Sequence, residues 1–410
     1  MSEADTSPDN TTENGESNRL RRPAMRAMVQ DFSPIWFTWC MNSGGLSILL
    51  HQLPYRFPGI DVISVFFFVI NLVLWISFSV ILILRLAWFR RVAYYEIASD
   101  IGELTFLPCW AIALMTLTSN VALLASTSWW GGYHFTVVSL VMWWFVMIWN
   151  SSLLFWAFIT LFRNHDTSAS RLPTSIIIPA VSVSTIAVTG ATIVAYSNDL
   201  PTHFAIPVMI LSFHWVGVGI LLGLILYVYL FHELLAAGWP PPPATASMFI
   251  FVGPMAQSAA ALQILGASAN KYGRFADVNR GTFLTAEAAP GLEAACVLTA
   301  LLLSGLGIIF FLLSVAAMLQ RAFQRQLTWT PTWNAIIFPS STLTSSFILF
   351  AIEMDSSVYR VVSATMIVLL LLVFLVNIVF TVRRIYHGQL LVVREDWRVK
   401  RRLADEHKER

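Results

Sequence analysis

The chain has 410 residues, of which 57% are hydrophobic and only 12% are charged, and its formal net charge is +2 at pH 7. Soluble domains are typically about 45–50% apolar and about 25% charged, so this composition excludes an ordinary soluble protein. So small a net charge is uninformative about partners, and we expect no nucleic acid among them. The composition predicts an all-α integral membrane protein with the lipid bilayer as its surroundings.

The predicted elements begin with a polar segment, 1–33, that lacks the apolar stretch of a cleaved signal peptide and is expected to be a disordered tail. Ten apolar segments follow, each suited to the roughly 20 residues that a membrane-spanning helix needs. They are 34–53, 61–86, 104–126, 134–162, 173–196, 203–232, 247–268, 291–319, 331–352 and 358–382. The transmembrane domain is therefore expected to cover 34–385, and 386–410 to form a charged tail.

Lysine and arginine are distributed unevenly between the two predicted sides of the membrane. With the N-terminus in the cytoplasm, 20 of these residues lie on the inner side and 5 on the outer side. Because lysine and arginine are enriched in cytoplasmic segments, both ends of the chain are predicted to face the cytoplasm.

No motif for catalysis, a metal or a cofactor is found in the sequence. The three cysteines, Cys40, Cys109 and Cys296, lie singly in different segments and lack metal-binding spacing. A GxxxxGK[ST] loop for ATP is absent, and the segments supply no facing His, Asp or Glu pairs. We therefore predict no cofactor and no metal, and disfavour a membrane-embedded enzyme.

Segments three, five, seven and nine share a proline several residues after their cytoplasmic start. These prolines are spaced by 71, 75 and 85 residues, which approximates one helical hairpin each, and they are Pro108, Pro179, Pro254 and Pro339. In the first segment, Gly44 and Gly45 allow a bend or a close approach instead. A proline frees a carbonyl in a helix, so these predicted kinks belong on helices that face protein or water.

The odd-numbered segments are also the polar ones, whereas Leu, Ile, Val and Phe dominate the even-numbered ones. This alternation predicts five helical hairpins around a central pore, with the kinked odd-numbered helices inside. The candidates for lining the pore are Asn42, Ser43, Thr116, Ser182, Thr185, Gln257, Ser340 and Ser341.

The central turns of the ten segments contain no Lys, Arg, Asp or Glu. Cation paths and proton relays usually use buried carboxylates, so both are disfavoured. Hydroxyl groups and backbone N–H donors at bends suit an anion, and neutral donors favour its passage over tight binding. Two alternatives stay open: the hydroxyl groups serve only helix packing, or the protein is a receptor or scaffold.

Three stretches resemble one known family: "FTWCMNSGGLSILLHQLPYRFPG" (37–59), "SMFIFVGPMAQSAAALQILG" (247–266) and "WNAIIFPSSTLTSSFILFAIE" (333–353). They are similar to the tellurite-resistance/dicarboxylate transporter family, which includes fungal sulfite efflux pumps, malate permeases and plant slow anion channels. The resemblance implies ten helices around a pore, often in trimers. It also implies that Phe338, next to Pro339, blocks the pore, although a core or lipid-facing role would be its default interpretation.

The resemblance leaves the substrate open. Gly253-Pro254 followed by Gln257 is similar to the sulfite pumps, whereas Ser43-Gly44-Gly45 is similar to the malate carriers. A dianion such as malate would ordinarily meet an arginine, and no inner segment supplies one centrally. Efflux of sulfite or bisulfite across the plasma membrane is therefore the favoured hypothesis, and transport of a C4-dicarboxylate is the alternative.

Overall fold

A computed structural model describes residues 24–164, 172–387 and 390. The elements in these ranges are helices, which confirms the predicted all-α class. The α-helices are α1 Ala24–Gln30, α2 Phe37–His51, α3 Ile60–Trp88, α4 Arg90–Ser99, α5 Ile101–Phe106, α6 Cys109–Asn120, α7 Tyr133–Asn164, α8 Ile178–Tyr196, α9 Thr202–Ala237, α10 Gly253–Ala269, α11 Arg274–Val278, α12 Ala289–Phe323, α13 Ile337–Glu353 and α14 Ser357–Tyr386.

The two predicted tails lie mostly outside the described residues. The described end of the first tail contains α1 and is anchored by aromatic contacts. Phe32 is buried, and its ring centroid lies 6.1 Å from that of Phe37 and 5.8 Å from that of Phe78. The last part of the predicted tail, 24–33, is therefore packed against the helices that follow.

Nine helices in the described ranges are long and apolar enough to cross a membrane. They correspond to the second to the tenth predicted segments. The first predicted segment corresponds to α2, whose 15 residues rise only about 22 Å along the helix axis. The count of ten spans therefore stays a prediction.

Burial separates the spans into two alternating sets. In the third, fifth, seventh and ninth predicted segments, 72% to 100% of the most apolar stretch is buried, against 17% to 33% in the even-numbered segments. Nearly every residue of α2 is buried as well. We call α2, α6, α8, α10 and α13 the inner helices, and α3, α7, α9, α12 and α14 the outer helices. The polar odd-numbered segments thus lie inside, as expected for side chains that lack a partner in hydrocarbon.

The inner helices form a closed ring. Each contacts the next one along the chain, and α13 contacts α2, which closes the ring. Hydrogen bonds link neighbouring members: Asn120 Nδ2 of α6 donates to Gly44 O of α2 (3.2 Å), and Ser346 Oγ of α13 donates to Ala256 O of α10 (2.9 Å). Each outer helix packs against an inner helix adjacent to it in the chain.

The four prolines lie where an inner α-helix starts, and not in its middle. Pro108 is the N-cap of α6. Pro179 and Pro254 are the second residues of α8 and α10, and Pro339 is the third residue of α13. The 3₁₀ segments Thr174–Ile177, Pro242–Val252 and Pro331–Ile336 precede the last three of these helices. A proline fits the first turn because no intrahelical donor is needed there. Three of the predicted kinks therefore coincide with a change from 3₁₀ to α-helix, whereas Pro108 follows a turn between α5 and α6.

Gly44 lies at a close approach of α2, α3 and α6. A Cβ atom here would lie 2.5 Å from Asn71 Nδ2 and 2.5 Å from Thr116 Oγ1. Gly44→Ala is expected to lower the free energy of unfolding by about 1–3 kcal/mol because it overpacks this contact. Thermal unfolding of the detergent-solubilised protein measures the loss.

Gly217→Ala is the matched control for this substitution, since no described atom lies within 4 Å of the added Cβ. Alanine also favours a helix more than glycine by about 1 kcal/mol. Equal destabilisation by the two substitutions would contradict the assignment of Gly44 to a packing contact.

Candidate functional site

A cavity lies among the inner helices. Its volume is about 60 Å³, which is room for several water molecules. All five inner helices contribute to its wall, beginning with Gly45 in α2, Thr116 in α6, Thr185 in α8, Gln257 in α10 and Phe338 in α13. These are the first lining residues of each helix, and the others come after them in the chain. The cavity therefore extends toward the C-terminal ends of the inner helices.

Phe338 stands at the end of this cavity nearer to the helix starts. The other lining residues of α13 all follow it in the chain, and its side chain is only 4% exposed. Gly45 lies beside the ring: a Cβ added there would be in ordinary contact with Phe338 Cδ2 (3.6 Å) but too close to Ser341 Oγ (2.8 Å). The aromatic ring therefore lines the cavity at its end nearer to the helix starts.

A cluster of buried amide groups holds the start of α13 in place. Asn334 precedes Phe338 by one helical turn, and Asn42 Nδ2 donates to its backbone O (3.1 Å) and to its Oδ1 (3.2 Å). Asn377 Nδ2 of α14 also donates to Asn334 Oδ1 (3.3 Å), and Trp329 Nε1 donates to Asn377 Oδ1 (3.1 Å). These bonds fix the helix turn that carries Phe338 relative to α2 and α14.

The cavity wall carries hydroxyl and amide side chains but no charge, and most of the surface that it exposes is apolar. Its lining includes no Asp, Glu, Lys, Arg or His from the described part of the chain. Several of its hydroxyl groups donate to carbonyls of their own helix, such as Thr185 Oγ1 to Val181 O (2.8 Å) and Ser341 Oγ to Phe338 O (2.6 Å). Such local bonds use the hydroxyl protons. Most of these side chains therefore offer no free hydrogen-bond donor to a ligand in the cavity.

Gln257 supplies the donor that the hydroxyl groups do not. Its Oε1 lies 3.1 Å from Thr185 Oγ1 and shares that hydroxyl's one proton with Val181 O, which leaves the Nε2 amide group. This Nε2 is buried and has no hydrogen-bond partner among the described residues. A buried donor without a partner costs about 1–3 kcal/mol, so a ligand that accepts a hydrogen bond in the cavity would relieve that cost.

The structure brings half of the predicted pore-lining residues into the wall: Thr116, Thr185, Gln257 and Ser341. The others lie away from the cavity: Asn42, Ser43, Ser182 and Ser340. Ser182 Oγ, for example, accepts from Asn150 Nδ2 of α7 (3.2 Å) and donates to Pro179 O (2.7 Å), so it joins an inner helix to an outer one. Of the predicted bend residues, Gly45 lines the cavity and Gly44 and the four prolines do not.

Several lining residues were not among the predicted candidates. They are Ser119, Thr189, Thr192, Thr342 and Ser345. Their spacing carries a signal, because residues three or four apart share a face of a helix. Counting in such steps from Thr185 reaches Thr189 and Thr192, and counting from Phe338 reaches Thr342 and Ser345.

Comparison with known families adds a decisive match. The sequence model described as "Voltage-dependent anion channel" (SLAC1) matches residues 31–382, which include every inner helix. The chain belongs to this family. Membership confirms the resemblance seen in the sequence and identifies this member of the voltage-dependent anion channel family as a multi-pass membrane protein whose substrate is a small anion.

Curated relatives of this family member are transporters. The sulfite efflux pump of Arthroderma otae is 25% identical over 354 residues, 86% of this chain and 90% of the pump. The malic acid transport protein of Schizosaccharomyces pombe is 22% identical over 339 residues, 81% of this chain and 73% of that protein. An uncharacterized transporter of Methanocaldococcus jannaschii is 21% identical over 368 residues, 88% of this chain and 96% of its own. These names favour a transporter or channel over an enzyme.

Proposed function

We propose that this protein exports sulfite or bisulfite across the plasma membrane through the cavity among its inner helices. The observation that carries the proposal is the wall of that cavity, which carries hydroxyl and amide side chains, has no ionisable side chain among the described residues and includes Gln257, whose buried Nε2 lacks a partner among them. A small anion gains a hydrogen bond there without meeting a fixed cation that would retain it. The relative named as a sulfite efflux pump supports this choice of anion.

The membrane potential supplies a driving force for export. A negative cell interior favours outward movement of a monovalent anion by about 2.3 kcal/mol per 100 mV. The proposed route therefore needs no hydrolysis of ATP.

Phe338 is the proposed gate of this route. Its buried ring lies at one end of the cavity, and an apolar constriction opposes the passage of a hydrated ion. Movement of this one side chain toward Gly45 or away from it would change the width of the pore. The buried Asn334 cluster holds the backbone beside the ring, so the gate is assigned to the side chain.

Transport of a C4-dicarboxylate is the second candidate function. The relative named as a malic acid transport protein supports it. Against it stands the absence of an arginine from the cavity wall in the described part of the chain, because a bidentate arginine is the usual partner of a carboxylate.

The proposal also includes the orientation and the assembly of the protein. The excess of lysine and arginine on one predicted side supports termini in the cytoplasm. The resemblance noted in the sequence supports a homotrimer in which every subunit keeps its own pore. Cross-linking of the protein in native membranes would test the trimer, and protease accessibility of the two termini in sealed vesicles would test the orientation.

Efflux from proteoliposomes tests the substrate. Vesicles containing the purified protein are loaded with sulfite, malate, chloride or nitrate, and the release of each anion is followed at a fixed potential. Sulfite is expected to leave faster than malate, and vesicles without protein give the background. Faster release of malate would favour the alternative function, and background rates for every anion would overturn the assignment of a transport function.

Gln257→Met is expected to weaken the interaction with sulfite by about 0.5–1.5 kcal/mol, the net contribution of one hydrogen bond. The measured quantity is the sulfite concentration that gives half-maximal flux. Gln263→Met is the matched control, because Gln263 lies on the same helix but donates to Ala259 O (3.3 Å) and does not line the cavity. A normal concentration dependence in Gln257→Met would remove this amide from the proposed pathway.

A further inference from the structure

A second cavity opens on the lipid-facing side of the molecule, outside the ring of inner helices. It lies between the outer helices α3 and α7 and has a volume of about 880 Å³. Four tryptophans contribute to its walls: Trp75, Trp110, Trp149 and Trp156. We call this cavity the tryptophan groove. Its floor is the inner helix α6, where Trp110 Nε1 donates to Ser79 Oγ of α3 (3.0 Å).

The walls of the tryptophan groove are apolar and accessible. Ile83 is 63% exposed and Trp149 is 50% exposed, and both line the groove. Tryptophan offers a large apolar surface with one polar atom, which suits contact with an acyl chain. A groove of this kind between two membrane helices exposes its side chains to the lipid around the protein.

The length of the groove matches one leaflet of a bilayer. Its α3 wall runs from Trp75 to Leu86 and its α7 wall from Phe145 to Trp156. Each of these stretches rises about 16 Å along its helix axis. The hydrocarbon core of a membrane is about 30 Å thick, so one leaflet contributes about 15 Å. The groove is therefore about as long as the acyl-chain region of one leaflet is thick.

Two arginines lie where the headgroup of such a lipid would be. Arg90 and Arg91 line the same groove just beyond the end of α3, and both are exposed. Neither forms an ion pair within the described residues. They also start α4, whose N-cap Phe89 provides no side-chain hydrogen bond, so the positive end of the helix dipole adds to their charge.

The acidic residues that follow in the chain form no ion pair with these arginines among the described residues. Asp100 caps α5, where its Oδ1 accepts from Gly102 N (2.8 Å). Glu96 is buried and its Oε2 lies 2.6 Å from Arg85 Nη2. Glu103 is also buried, with its Oε2 3.5 Å from Arg85 Nη1. The buried carboxylates therefore face Arg85, whereas the exposed guanidinium groups of Arg90 and Arg91 face the groove.

We propose that the tryptophan groove binds one anionic phospholipid of the leaflet on this side. The acyl chain lies against the four tryptophans, and the phosphate accepts hydrogen bonds from Arg90 and Arg91. Guanidinium groups form strong, bidentate bonds with phosphate. A second copy of this chain is the competing occupant, but two arginines that form no ion pair with any described residue lie at one end of the groove and favour a charged headgroup.

The test uses the full-length protein in detergent, stripped of lipid. Thermal unfolding is followed while phosphatidylglycerol, phosphatidylcholine or inorganic phosphate is added. Phosphatidylglycerol is expected to raise the unfolding temperature, because a ligand that binds only the folded state stabilises it. Phosphatidylcholine is expected to bind at least about tenfold more weakly, which corresponds to a loss of about 1.4 kcal/mol of binding free energy. Inorganic phosphate should have no effect because it lacks an acyl chain.

A matched pair of variants locates the site. Arg90→Gln with Arg91→Gln is expected to abolish the preference for phosphatidylglycerol. The control is Arg383→Gln with Arg384→Gln, an adjacent arginine pair at the end of the outer helix α14, which should keep the preference. Equal responses to the two lipids in the unmodified protein, or equal losses in the two variants, would overturn the proposal.

Phosphatidylglycerol with a brominated acyl chain provides a second measurement, since bromine quenches tryptophan fluorescence on contact. Quenching is expected to fall when Trp149 and Trp156 are replaced together by phenylalanine. If the replacements instead change the oligomeric mass and leave quenching unchanged, the groove is an interface between subunits and the proposal is wrong.

Discussion

Phe338→Ala is expected to increase sulfite flux through the reconstituted protein about tenfold or more, because a barrier lowered by about 1.4 kcal/mol raises a rate by that factor. The physical reason is the position of the ring. Phe338 is buried at one end of a cavity lined by hydroxyl and amide side chains, with Gly45 beside it. Truncation to a methyl group removes the bulky ring and leaves those side chains in place.

The flux measurement needs a variant that controls for lost packing. Phe347 lies on the same helix and is also buried, but its ring packs against Tyr359 (5.7 Å between centroids) and does not line the cavity. Truncation of a buried phenylalanine costs about 3–5 kcal/mol at either position. Phe347→Ala should therefore lose stability without a gain in flux. Unchanged or slower flux for every anion in folded Phe338→Ala protein would rule out a gate at this residue.

Arg85→Ala is expected to lower the free energy of unfolding by about 3–5 kcal/mol, as is usual when one partner of a buried ion pair is removed. Arg85 is fully buried near the end of α3 and pairs with Glu96 and Glu103. These three residues tie α3 to α4 and α5. Both carboxylates lose a buried counter-charge in the variant, and equilibrium unfolding in detergent measures the result.

Arg360→Ala provides the comparison for an exposed arginine. Its side chain is 41% exposed and pairs with Asp355 at the start of α14. Exposed pairs contribute about 0–1 kcal/mol, so this variant should be nearly as stable as the unmodified protein. Combining Arg85→Met with Glu96→Gln and Glu103→Gln should recover much of the stability, because no uncompensated charge is then buried. A triple variant no more stable than Arg85→Ala would show that the loss has another cause.

The helical class, the alternation of two kinds of span and the family could all be predicted from the residues. Lipid is a solvent that accepts only apolar side chains and satisfied backbones, so each segment shows in its own composition whether it faces lipid or protein. The even-numbered segments carry that pattern, and they are the exposed ones in the structure. The Phe338-Pro339 pair could be singled out for the same reason, since it stands on a polar segment.

The direction in which each side chain of an inner helix points could not be predicted from composition. Most residues of an inner helix are buried, so composition does not distinguish the face toward the axis from the face toward an outer helix. Thr185 and Ser182 have similar chemistry in the sequence, yet one lines the cavity and the other bonds to Asn150 of α7.

The composition of each segment was sufficient to predict the features that the membrane imposes, because contact with lipid constrains each segment separately. Contacts between segments settled the rest: which hydroxyl groups meet at the axis, which amide is left without a partner and where the prolines fall relative to the helix starts. The pairing of Arg85 with Glu96 and Glu103, from different helices, belongs to this second group. Such pairings depend on how helices pack against each other, and no single segment encodes them.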